Sequence, residues 1–401
     1  VDRFVIAGAR VFDGEDLLGV ADVEVADGRI AAVGGERPEG VELVDGAGAT
    51  LLPGLIDAHT HTYEEPLRHA PPFGVTTELD MLSMPELMIP LRRKVAESSE
   101  FADVRSPSVG LTRPDGHPHQ LLEEEEGDPA WPVATRVEEV PAFVEDRIAE
   151  GADYLKVLVE DGHVFGASLP VLDPGLIAAM VREGHARDRM VLSHAMTVEA
   201  AGISVDAGVD ALTHLFFDRP HTEELIEKIA AAGVFVIPTL TVIASITGEP
   251  AGAELAKDPR VSSKLPPEWV DNLSGAFGST PRENFDFALA ALAALRDAGV
   301  DILAGTDAAH LGPPGMAHGA SLHGELQLLV RGGLTPTEAL RAATSVTARR
   351  FGLDDRGRIA PGLRADLTLV DGDPTVAIED TLSTRRVWRG GVVTGEVADR
   401  G

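Results

Sequence analysis

Residues 51–61 read LLPGLIDAHTH. The apolar run over 51–57 predicts a buried strand, and His59 and His61 follow it directly. Alternate residues of an extended chain point the same way, so both imidazoles face one side and can donate to a single metal ion. In a chain with 13 histidines a His-x-His pair is a weak signal by itself. Its weight comes from what the rest of the chain sets beside it.

Outward from that segment, strand-like and helix-like patterns alternate. Strands are predicted at 51–57, 74–79, 108–111, 154–159, 190–193, 211–213, 234–238 and 300–304. Helices are predicted near 85–99, 136–149, 174–187, 198–206, 222–232, 281–298, 319–331 and 336–350. Eightfold alternation is the pattern of a (β/α)₈ barrel in the α/β class. A doubly wound open sheet shares the alternation but has less use for eight repeats. No GxGxxG or P-loop glycine fingerprint opens a helix.

The two ends read differently. Residues 1–50 alternate apolar and polar with Asp-Gly turns (FVIAGARVFDG, GVADVEVADGRIAAVGG), a sign of short antiparallel strands. The C-terminus resumes the style in GRIAPGLRADLTLVDGDP and RRVWRGGVVTGE. The expected organisation is therefore a composite β domain from 1–53 and 360–401, with the barrel over 54–359. Two stretches read as loops. Residues 113–132 hold prolines, two histidines and a four-glutamate run, which reads as solvated surface. Residues 245–280, with scattered Gly and Pro, follow the seventh strand and fall on the catalytic face, where they can cover a site.

Composition narrows the chemistry. Lys+Arg is 34 and Asp+Glu 65, giving a net charge of −31, which repels nucleic acid and anionic membranes alike. Cysteine is absent, so disulfides, thiolate ligands and cysteine nucleophiles are excluded, and a metal site must use His, carboxylate or a modified residue. The apolar stretch 229–244 is broken by Gly233 and Pro238 and reads as a helix end followed by a strand, not a membrane span. A cytoplasmic location is the default expectation, with a removed leader as the alternative.

Four further residues fall at the C-terminal ends of predicted strands, the face where barrel active sites form. They are Lys156 in YLKVLV, His194 in LSHA, His214 in LTHL and Asp307 in AGTDA. Each has a plain alternative: a core histidine for His194 or His214, a helix N-cap for Asp307. Lys156 stands out, because a buried ammonium is costly without a partner. It reads as a salt bridge to a buried acid, a Schiff-base amine, or a lysine carboxylated by CO₂, whose anionic carbamate can bridge two divalent ions.

These segments resemble the amidohydrolase superfamily, in the binuclear-metal branch that includes imidazolonepropionase-like and prolidase-type amidohydrolases. The matching text, in order, is VADGRIAAVG, LLPGLIDAHTH, GVTT, YLKV, SHA, THL, GTD, HGELQLLVRGGLTPTEALRAAT and GRIAPGLRADLTLVDGDP. The resemblance implies a distorted (β/α)₈ barrel with a small β-sandwich from both termini. It implies that His59, His61 and Asp307 bind one divalent metal, that His194 and His214 bind another, and that carboxylated Lys156 bridges them together with a water or hydroxide. Zinc is the usual metal, and manganese, iron and cobalt are compatible with the ligand types. The implied reaction is hydrolysis of an amide-like C–N bond of a small molecule, with Asp307 as general base and then acid. Lys156 argues against imidazolonepropionase activity itself and against single-metal deaminases.

His117 is an expected substrate contact, with His119, His318 and His323 as further candidates. Arg113, Arg219, His221 and Lys264 are weaker candidates for gripping a carboxylate. Leu215, beside His214, speaks against a tyrosine-assisted peptidase, and Phe216 and Phe217 either line an apolar pocket or pack in the core. Competing readings are an X-Pro dipeptidase or metallocarboxypeptidase, an arylamide, carbamate or urea hydrolase, and a catalytically silent binding or assembly protein. Relatives often form dimers or larger rings, so a homo-oligomer is expected.

Overall fold

The computed structural model describes residues 3–121 and 131–394. The four-glutamate run lies outside the described residues.

Both ends of the chain build one sheet. Its N-terminal strands are β1 (Arg3–Phe12), β2 (Leu17–Ala26), β3 (Arg29–Val33), β4 (Glu42–Asp45) and β5 (Ala49–Pro53). In β1 the side chains that join the terminal sheet's own apolar cluster run Phe4, Ile6, then Ala9, Val11. The change from even to odd coincides with a register shift against β2 between Ile6 and Ala9, where Gly8 takes φ 69°. An extra residue at such a bulge re-aims the chain while keeping apolar side chains inward.

The chain then enters the parallel strands β6 (Leu55–Thr60), β7 (Val75–Asp80), β8 (Asp103–Arg105), β9 (Leu155–Leu158), β10 (Val191–His194), β11 (Ala211–Thr213) and β12 (Phe235–Ile237). It returns to the terminal sheet as β13 (Leu367–Asp371), β14 (Thr384–Arg389) and β15 (Val392–Thr394). The order is β15-β14-β13-β5-β1-β2-β3, with β4 on β1. β13 pairs antiparallel with β5 from Leu367↔Pro53 to Asp371↔Ala49. By hydrogen bonding, the expected sandwich is thus a single eight-stranded sheet.

The strand predicted over 51–57 is two strands, β5 and β6, in different sheets. Gly54 makes the switch: its N–H donates to the Asp366 carbonyl, and a Cβ there would lie 2.2 Å from Thr76 Oγ1.

The parallel strands form two ladders, β6-β7-β8 and β9-β10-β11-β12, in a TIM-barrel-like arrangement. Isolated bridges Leu111↔Val157, Val236↔Ile302 and Thr60↔Ala308 link them, so the sheet is not one continuous closed ladder. Two expected strands shrink to those bridges. Ser108, at φ 62°, interrupts the extended chain of 108–111, and the third strand is instead the short β8. Residues 300–304 bond to β12 on one side, while on the other the Ala304 N–H donates to the Ala342 carbonyl.

The helix predicted over 336–350 is two, Pro336–Ala342 and Ser345–Arg350. The expected loop 245–280 is largely helical: Leu240–Thr247, Ala251–Ala256, Pro259–Ser262 and Pro267–Ser274. It is anchored by Trp269 and Leu273, both fully buried with Phe73 and Ala317. Among the described residues no helix is long and apolar enough to cross a membrane.

Candidate metal centre

Parallel strands aim the residues at their C-terminal ends toward a common axis. Five imidazoles form a row there. Ring centroids are 5.5 Å apart for His61–His59, 4.7 Å for His59–His214, 4.5 Å for His214–His194 and 4.6 Å for His194–His117. Asp307 closes one end, with Oδ1 3.2 Å from Nε2 of His59 and 3.1 Å from Nε2 of His61. One ligand atom each from His59, His214 and Asp307 lies within 4.8 Å of the others. Lys156 is buried beside the row and donates from Nζ to Thr213 Oγ1 at 2.7 Å. The residues expected as ligands, together with His117, are therefore brought together. Asp307 is no helix N-cap, since the next helix starts at Ala320.

Backbone strain accompanies the arrangement. His214, Thr239 and Asp307 are non-glycine residues with φ of 71°, 50° and 64°. Each such conformation costs about 1–3 kcal/mol and persists only where surrounding contacts fix it. Gly305 permits close packing there: a Cβ would lie 2.5 Å from Ile237 Cγ2 and 2.8 Å from the His59 nitrogen.

The electrostatics suit metal binding. Burial, reinforced by the Lys156 charge, pushes His59 and His194 down to about 3. Burial and the neighbouring His194 also push His117 down to about 3. His214 is held well below its ordinary value by burial, His194 and His59. These rings are thus neutral at physiological pH, the form that ligates. Burial opposes ionisation of Asp307, but His59 and His61 outweigh it and hold the carboxyl well below the usual range. Burial likewise disfavours the charged form of His61, and the Asp307 contact overcomes it, raising His61. Among the described residues, Nδ1 of His59 is buried without a hydrogen-bond partner. Neutral rings at His59, His194 and His214, an ionised carboxylate and an orphaned ring nitrogen fit divalent cations, and a cation at His61 would displace the proton that Asp307 favours there.

Two unforeseen residues orient the rings. Nε2 of His194 bonds Oε2 of Glu160 at 3.1 Å, which leaves Nδ1 free. Nδ1 of His214 bonds Thr239 Oγ1 at 2.7 Å, which leaves Nε2 free. Glu160 is buried, its Oε1 accepts the Gly162 N–H at 2.6 Å, and burial raises its carboxyl to about 7. Alternation could have identified it, because residues 156, 158 and 160 share a side of an extended chain.

The secondary candidates divide. His117 lies against His194, stacked 6.1 Å from Phe165, with Nδ1 bonded to Gln120 Nε2 at 2.8 Å. His119 is turned aside, its Nδ1 bonded to the Gly116 carbonyl and its ring edge-on to Trp131. His318 and His323 are corrections. His318 is fully buried between Glu78 and the Ala309 carbonyl, and His323 between Thr381 Oγ1 and the Phe73 carbonyl. With both ring nitrogens engaged inside the protein, neither has an atom left for a substrate. Lys264 donates to the Pro72 carbonyl and sits over the Phe73 ring. Arg219 is exposed beside Asp218, Arg113 is exposed and His221 is half-buried. Leu215, Phe216 and Phe217 are buried in the main apolar core.

Comparison with known proteins places this geometry. The profile described as "Amidohydrolase family" matches residues 106–397. Ochratoxinase of Aspergillus niger is 27% identical over 268 residues, which is 65% of this chain and 50% of that protein. The chain thus spans about half the length of this curated relative. Among solved structures, an amidohydrolase superposes with a TM-score of 0.77 at 24% identity, covering 98% of both chains. A Xaa-Pro dipeptidase with methionine in its active site also gives 0.77, at 20% identity over 98% of this chain and 99% of that one. At such identities the two structures speak to the fold.

Proposed function

Since this chain belongs to the amidohydrolase family, we propose that it hydrolyses an amide-like carbon–nitrogen bond of a small molecule using two divalent cations, zinc by default. One is held by His59, His61 and Asp307, the other by His194 and His214, with a carboxylated Lys156 between them. In this reading the barrel is a distorted (β/α)₈ unit over 54–359 and the composite β domain comprises 1–53 and 360–401. The antiparallel pairing of β5 with β13 supports that division.

One observation carries the reading: ligand atoms of His59, His214 and Asp307 cluster within 4.8 Å next to a buried lysine. Burial pushes Lys156 down to about 7, so a large neutral fraction exists at neutral pH. The neutral amine is the form that attacks CO₂, forming an N–C bond and releasing a proton to give the carbamate. When bound, the cation pair lowers the pKa of water and polarises the scissile carbonyl. Asp307, kept ionised by His59 and His61, accepts the proton of the attacking water and delivers it to the leaving nitrogen. His117 faces the same space beside His194 and contacts the substrate.

Metal analysis of the purified protein, combined with a substrate panel, tests this. The panel holds N-acyl amino acids, X-Pro and other dipeptides, arylamides, carbamates and aryl ureas. Two metal ions per chain, loss of metal and turnover in Lys156→Ala, and hydrolysis of one panel class are expected. Cleavage of X-Pro dipeptides would select the dipeptidase reading instead. A fully active Lys156→Ala in bicarbonate-free buffer refutes the bridge. Bound metal without any turnover favours a silent binding protein.

A further inference from the structure

Thr239 is fully buried and β-branched, yet it adopts a left-handed backbone, φ 50° and ψ 48°. Glycine or asparagine would take that conformation at less cost. What the threonine adds is a hydroxyl, 2.7 Å from Nδ1 of His214 and 2.8 Å from the carbonyl oxygen of Pro238. A hydroxyl has one proton to give, and a carbonyl only accepts. The proton therefore points to Pro238, and Oγ1 accepts from the His214 Nδ1–H. That fixes one tautomer of the ring, with the lone pair on Nε2.

The chain just after Thr239 is clamped. Leu240 and Thr241, which open the helix Leu240–Thr247, donate their N–H groups to Oε1 and Oε2 of Glu325 at 3.0 and 2.9 Å. Glu325 is fully buried on the helix Ala320–Arg331. Thr241 Oγ1 lies 2.9 Å from the carbonyl of Thr306, the residue before Asp307. The clamp thus ties the turn behind His214 to the segment that carries Asp307.

We propose that Thr239, held by Glu325 through the N–H groups of Leu240 and Thr241, is a positioning residue that sets the tautomer of His214 and presents its Nε2 to a divalent cation. The inference rests on the two-cation reading above. A partner on the second nitrogen of a ligating histidine commonly changes metal affinity 10–100-fold.

Cobalt(II) titration of the chelator-stripped full chain tests it, read by visible absorption and dissociation constant, with no turnover required. Thr239→Val is expected to weaken one cobalt site about 10–100-fold and alter its spectrum, with Thr239→Ser restoring both. Thr239→Gly removes the hydroxyl while relaxing the backbone, so it remains a folded test where valine clashes, and the same weakening is expected. Glu325→Gln, which sets a donor against one of the two N–H groups, is expected to shift affinity in the same direction. Unchanged affinity in that variant removes Glu325 from the proposal. If His214→Ala loses a site while Thr239→Val and Thr239→Gly bind cobalt like the unaltered protein, the proposal fails and the two-cation reading stands. If His214→Ala also binds like the unaltered protein, that reading fails and takes the proposal with it.

Discussion

Asp103 and Arg356, 253 positions apart, form a buried ion pair of 2.6 Å. Asp103 opens β8, and Arg356 lies on the segment leading back to the terminal sheet. Arg364 at 3.1 Å and Arg389 at 3.8 Å contact the same carboxylate, so it joins the parallel strands to the shared sheet.

Asp103→Asn should therefore cost roughly 3 kcal/mol, because three arginines lose a shared buried counterion and Arg356 and Arg364 are left with only Asp355 and Asp366. Burial opposes ionisation of Asp103, but Arg356, Arg105 and Arg364 outweigh it and hold the carboxyl far below the usual aspartate range. A depressed folded-state pKa gives stabilisation that is complete above the unfolded-state value and lost as pH falls toward the folded one. Denaturant melts across acid pH should show a constant gap between the two proteins down to the ordinary aspartate range, closing below it. A gap independent of pH would count against the pairing.

Asp307→Asn preserves shape but loses the charge that accepts and returns a proton. The turnover number should fall about 10²–10⁴-fold, measured on metal-loaded protein with its metal content recorded. A rate within a few-fold of the unaltered enzyme would assign the proton to another group.

In Glu160→Gln, keeping the side-chain oxygen on the Gly162 N–H turns an amide donor toward Nε2 of His194. A ring that presents Nε2–H to the carboxylate must then turn or change tautomer. Metal affinity should drop about 10–100-fold, read by equilibrium dialysis with thermal melting as the folding control. Unaltered affinity would make Glu160 a bystander.

Gly305→Ala places a methyl 2.5 Å from Ile237 Cγ2 and 2.8 Å from the main-chain nitrogen of His59. Backbone cannot yield cheaply, so about 1–3 kcal/mol of destabilisation is expected, with metal lost through displacement of His59. Calorimetry and metal analysis of the same preparation would check both. A variant that melts and loads normally would mean that the barrel relaxes around the methyl.

The strand-end residues were legible because their positions follow from local pattern: His59 and His61 after an apolar run, His194, His214 and Asp307 each closing a predicted strand. The partners that orient them were less so. Thr239 matters through a left-handed turn and through Glu325, which lies 84–85 positions beyond the Leu240 and Thr241 N–H groups it holds, and no local pattern encodes that. The 245–280 segment misled because its prolines read as breakers. Pro259 and Pro267 instead occupy first turns of short helices, where a missing N–H costs nothing. β8 is hard to read because it is only three residues long, pairs with β7 and opens on a charged residue, Asp103, whose partners Arg356, Arg364 and Arg389 lie far along the chain. His323 resembled a site residue by motif, and only its two internal partners assign it to packing.

The junction of β5 with β13 has a consequence for how the protein is made. During synthesis β5 emerges long before Leu367–Asp371 exists to cover its flank, so its unpaired main-chain groups face outward while the barrel is being assembled. Such a flank is a template for pairing with foreign chains. Nascent chains stopped short of residue 367 should aggregate even with every metal ligand in place, and a chaperone that shields extended backbone should matter most in that interval.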